Sequence, residues 1–145
     1  MTRLVIAAAL AAAAAATAPP AQAAPMCGST LCARATMTGD SAGCTFVTTT
    51  TRRCAYRFVW SASGDSVLPG TVRWRMSSPA EVEDDAATWT SGGYDTGDRT
   101  TALASEVLPC GALRTVYATL HVEADNTLTT ASAAATASFT IVAPC

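Results

Sequence analysis

Val116-Tyr117-Ala118-Thr119-Leu120-His121-Val122-Glu123-Ala124-Asp125 sets apolar residues in strict alternation with their neighbours. Successive side chains of a β-strand point to opposite faces, so Val116, Ala118, Leu120, Val122 and Ala124 share one face. Tyr117, Thr119, His121, Glu123 and Asp125 share the other. A helical period would scatter both sets. The stretch therefore reads as a strand with one face in a core and one in water.

A polar turn, Asn126-Thr127-Leu128-Thr129, follows, and alternation resumes to end on Phe139, Ile141 and Ala143. In an antiparallel hairpin, positions equidistant from the turn face each other. Val116 then opposes Phe139, and Val122 opposes Ala133. Extending the register outward brings Cys110 to Cys145 at the open end of the hairpin. Strands there lie about 5 Å apart, within reach of a disulfide.

Upstream, Cys54, Tyr56, Phe58 and Trp60 alternate with Arg57 and Ser61. Val72, Trp74 and Met76 alternate with Arg73 and Arg75. Less regular strands are expected near 31–38, 44–50, 86–90 and 100–107, and no window holds helical spacing for three turns. Seven or eight short strands at this spacing predict an all-β fold, an antiparallel two-sheet sandwich, with a small closed β-barrel as the alternative. The hairpin over 113–143 resembles the closing hairpin of immunoglobulin-like bacterial modules of the polycystic-kidney-disease type. It departs from them at Val116, where those modules carry an inward Tyr; here Tyr117 is out of phase. The resemblance implies an immunoglobulin-like architecture and no particular ligand, since such modules serve adhesion, spacing and recognition alike.

Residues 1–23 read as a secretory signal peptide. Arg3 precedes a 13-residue apolar run from Leu4 to Ala16, then Pro19-Pro20 and the small-x-small site Ala21-Gln22-Ala23. As a helix the run spans roughly 20 Å, short of a hydrocarbon core of about 30 Å. The mature chain is expected to be one domain, 24–145, secreted or extracellular; in a Gram-negative cell it would be periplasmic or at the cell surface. Six cysteines in a short exported chain predict a disulfide framework. Besides Cys110–Cys145, four N-terminal cysteines allow three pairings. A hairpin turning at Gly39-Asp40-Ser41-Ala42 would join Cys27 to Cys54 and Cys32 to Cys44.

The formal net charge is −2; removing Arg3 with the leader leaves eight Arg against eleven carboxylates, a net of −3. No field of that size draws in nucleic acid, and no later run is apolar enough to hold the mature chain in a membrane. Charge is nonetheless segregated. Five Arg (52, 53, 57, 73, 75) face only Asp65 between residues 52 and 75, whereas residues 81–98 hold six acids and no base. These blocks either neutralise each other or form separate patches.

Chemistry has few footholds. His121 is the one histidine, mid-strand on the polar face, without a nucleophile motif nearby. Cysteines committed to disulfides leave no zinc ligand set, and no cofactor is expected. Glu81, Glu83, Asp84 and Asp85, with Asp95 and Asp98, read as a solvated acidic loop, calcium being the next reading. Asn126 lacks the Ser or Thr that a glycosylation sequon needs two residues on.

The most suggestive segment is Trp89-Thr90-Ser91-Gly92-Gly93-Tyr94-Asp95. Two aromatics around a flexible turn, beside a carboxylate, would offer stacking faces and acceptors to a sugar or a partner protein. Trp89, Tyr94 and Asp95 are thus the candidate ligand-binding residues. The expected function is that of a non-catalytic binding module, monomeric, for an extracellular carbohydrate or protein. An inhibitor would work through a braced convex loop, for which Ser66-Val67-Leu68-Pro69 is the nearest candidate. A structural or protective envelope component is the alternative; it should lack an exposed apolar loop patch.

Overall fold

The computed structural model describes residues 26–27 and 30–145; the expected signal peptide lies outside the described residues. Among the described residues, ten strands form two antiparallel sheets. The first sheet is built on β2 (Cys32–Phe46) and β3 (Thr51–Asp65), with β1 (Met26–Cys27) beside β2. Its third row is made of three pieces on β3, namely β6 (Tyr94–Asp95), β7 (Arg99–Thr100) and β8 (Ala104–Pro109). The second sheet runs β10 (Thr130–Val142), β9 (Leu113–Asn126), β4 (Gly70–Ser77), β5 (Val82–Trp89). The two sheets form an open sandwich, not a closed barrel, with seven strands of six residues or more and three of two.

Alternation is what drives this arrangement. Tyr56, Phe58 and Trp60 from β3 meet Trp74 and Met76 from β4 and Leu120 and Val122 from β9 in one buried cluster. Removing each large side chain from water stabilises the fold by about 1.5–3 kcal/mol. Val116 faces Phe139 and Val122 faces Ala133, in the register that equidistance from the turn requires.

Breaks in the third row are patched by hydroxyls. Thr101 accepts the Phe58 N–H at 2.9 Å and Thr96 accepts that of Ala62 at 3.0 Å, each through its side-chain oxygen. Their own amides donate back to the carbonyls of Phe58 and Ala62. Buried backbone groups on β3 thus keep partners where the neighbouring strand is interrupted.

The cysteines pair as Cys27–Cys32, Cys44–Cys54 and Cys110–Cys145. The last is the bridge expected from the hairpin register, with Cα atoms 5.1 Å apart. The expected Cys27–Cys54 and Cys32–Cys44 bridges are corrected by the position of the turn. Strand β2 runs straight through Gly39-Asp40-Ser41, with only a bulge before Gly43 (φ 90°), and the chain reverses at residues 47–50. Cys44 and Cys54 are equidistant from that later turn and face each other. Cys32 is left opposite Cys27 on β1. Three bridges mark a chain that matures in an oxidising compartment.

Candidate functional site

The expected recognition pair is not exposed. Trp89 ends β5 pointing inward, 8 % exposed, and its Nε1 donates to the Leu68 carbonyl at 2.7 Å. Gly64 and Gly70 make room for its ring: a β-carbon at either would stand within 3 Å of it. Tyr94 is half-buried and stacks on Trp74, with centroids 6.1 Å apart and planes 2° from parallel. Asp95 is exposed and caps the Gly97 N–H at 2.8 Å, shaping its own turn. The three residues therefore do not make one surface. Trp89 is a buttress, because a large ring at a strand end gains more from burial than from the flexible turn beside it.

Tyr94 belongs to a polar box between the sheets that the sequence did not reveal. The Arg99 guanidinium lies 5.6 Å from the Trp60 ring and 5.2 Å from that of Trp74. Glu83 accepts from Arg99 at 2.6 Å and from the Trp74 indole at 3.1 Å. A carboxylate and a guanidinium between three rings neutralise each other and close the β5 side of the core. Trp60 Nε1 is the one buried side-chain polar atom without a partner among the described residues.

Elsewhere, charges pair as Arg57–Asp40 at 2.8 Å and Arg114–Glu106 at 3.2 Å. Among the described residues no ion pair joins the Arg block to the acid block, although the register sets Arg75 opposite Asp84. His121 is exposed on the outer face of the second sheet. No group of three or more His, Cys, Asp or Glu side chains converges into a metal-holding cluster among the described residues.

A different surface emerges at the end of the sandwich where β3 hands over to β4. Val67 is 81 % exposed on the loop between them, and Leu128 is 72 % exposed on the turn between β9 and β10. Both loops are bolted to one buried side chain. Asn126 donates through Nδ2 to Ser66 Oγ at 3.0 Å, and its Oδ1 accepts the N–H groups of Leu128 and Thr129, each at 2.9 Å. Ser66 Oγ in turn accepts the Leu68 N–H at 3.1 Å, and Trp89 holds the Leu68 carbonyl. The same Nδ2 lies 3.5 Å from the Thr30 carbonyl, inside the loop that Cys27–Cys32 closes.

These loops are flanked by two grooves. One, of about 480 Å³, is lined by Pro69, Gly70, Arg73, Trp89, Glu123 and Asp125 among others. The other, of about 260 Å³, lies among Arg34, Asp65, Gly93, Tyr94 and Asp95. Residues 66–69 were legible as a candidate loop. Leu128 is less legible; its signal is an apolar residue inside an otherwise polar turn. No family model matches the chain, nor does a curated protein or a solved structure.

Proposed function

We propose that this protein is a secreted, non-catalytic binding module that engages an extracellular protein through the loop end carrying Val67 and Leu128. One observation carries the reading: two apolar side chains stand in solvent on loops tied down by the buried, mutually hydrogen-bonded Asn126 and Ser66. A flexible loop loses conformational entropy when it docks, whereas loops held in advance avoid much of that cost. Apolar tips above a polar, grooved rim match the apolar centre and polar rim of protein-recognition patches. A passive envelope component has no need of such tips. A sugar-binding surface would call for an exposed aromatic platform; the burial of Trp89 removes the one expected here, and the exposed Phe46 and Tyr117 lie on β2 and β9, outside the loops that carry Val67 and Leu128.

The test is affinity capture from the culture supernatant of the source organism, using the oxidised protein as bait. Val67→Asp with Leu128→Asp should lose the captured protein, whereas Thr119→Asp on the outer sheet face should keep it. Equal recovery by all three baits, or a glycan array that binds the native protein while no protein is captured, would overturn the proposal.

A further inference from the structure

The edges of the two sheets are not equally guarded. An edge strand presents unpaired backbone N–H and C=O groups, and soluble proteins blunt such edges with charges, proline, bulges or brevity. Strand β5 has eight residues and three acids, Glu83, Asp84 and Asp85. Strand β2 carries Arg34 and Asp40 and breaks its register between Ser41 and Gly43. The row opposite β2 is cut into pieces of two, two and six residues, the last holding Glu106 and Pro109.

Strand β10 has none of these devices in its own sequence, although β1 and β2 pack against it and Cys44 Sγ lies 3.7 Å from the Val142 carbonyl at its end. It is 13 residues long, Thr130–Val142, with no charge, proline or glycine, and it pairs with β9 without a register shift. Among the described residues its other edge is unpaired.

We infer that β10 pairs antiparallel with β10 of a second copy, joining the second sheets of two molecules into one. The strand is complementary to itself. A two-fold axis at Thr136 sets Ala131 opposite Ile141 of the second copy, Ala133 opposite Phe139, and Ala135 opposite Ala137. The inward row thus meets small against small beside the axis and small against large in the two pairs beyond it. On the outer face the same axis brings Thr130 to Val142, Ser132 to Thr140 and Ala134 to Ser138, all compact side chains, with no like charges facing across the seam. The two-fold consumes both edges, so the assembly closes as a dimer and does not grow into a fibre. Because β10 spans about 40 Å and the copies run in opposite directions, their Val67–Leu128 ends would lie at the two extremes of the dimer.

Sedimentation velocity across a dilution series of the purified, oxidised protein tests this. The native protein should sediment as a dimer that dissociates on dilution. Thr136→Lys, which sets two ammonium groups face to face, should weaken the dimer about two- to fivefold. Thr119→Lys, one strand inward on the same row and face, should leave it intact. Mixing Thr136→Lys with Thr136→Glu should restore a dimer, which also shows that both variants fold. A native protein that stays monomeric at 100 µM, a Thr119→Lys effect equal to that of Thr136→Lys, or a mixture that remains monomeric would each overturn the inference.

Discussion

Phe139 of β10 lies against the bare backbone of Gly39 in β2, in space that a β-carbon there would already fill. Its ring meets Tyr56 and Phe58 edge-on, at centroid distances of 5.9 and 5.7 Å, and so closes the core on the β2–β10 side. Gly39→Ala should force that ring out of its packing and cost about 1–3 kcal/mol. Urea unfolding would read the loss. In a Phe139→Leu background the same glycine change should cost less, because the two sites share one space.

Asn126 is the bolt of the loop end. Asn126→Ala removes the donor to Ser66 and the acceptor for Leu128 and Thr129, and should cost about 2–3 kcal/mol, since buried groups lose their partners. Asn126→Asp keeps the acceptor and loses the Nδ2 donor. Hydrogen exchange at Leu128 and Thr129 should quicken markedly in the alanine variant and only slightly in the aspartate one.

The bridges should rank by the chain they enclose. Separations of 35, 10 and 5 residues belong to Cys110–Cys145, Cys44–Cys54 and Cys27–Cys32. Loop-closure entropy then gives about 3.8, 2.7 and 2.1 kcal/mol in that order. Paired Cys→Ser variants, compared by thermal unfolding, should lose stability in the same order.

Alkaline pH should single out Tyr56. Burial raises its phenol above the ordinary value near 10, with the Glu106 carboxylate adding to the effect and Arg114 opposing it. A raised acid stays protonated in the folded state while the unfolded chain begins to ionise. Its contribution is therefore whole below the ordinary value and is lost as pH climbs through the folded one. All nine basic side chains are Arg, so no lysine titrates in that window. Stability followed from pH 8 to 11.5 should fall above about pH 10, and Tyr56→Phe should flatten that fall.

The register of β9 and β10 was legible because alternation fixes the face of each residue and a single polar turn fixes the offset. The buried row Tyr56, Phe58, Trp60 was legible for the same reason. The N-terminal bridges were not. Gly39-Asp40-Ser41 has the composition of a turn, but Gly39 is small to admit Phe139, a hundred residues away. Trp89 misled in a similar way. Its flexible neighbours suggested exposure, while the space for its ring is provided by Gly64 and Gly70 on other strands. Local composition names the residue; the packing that explains it lies elsewhere in the chain.

Cys54 is buried in the core and Cys44 packs against it, yet none of the three bridges crosses the core from one sheet to the other. Two tie strands that are already neighbours in the first sheet, and the third ties the chain after β8 to the chain after β10. Hairpins align within microseconds, whereas thiols oxidise over seconds to hours. Strand pairing therefore brings each cysteine to its partner before any oxidant arrives. On that timetable the sulfur chemistry records a topology already chosen, and a shuffled chain returned to mild oxidising conditions has its correct connectivity written in the pairing of its strands.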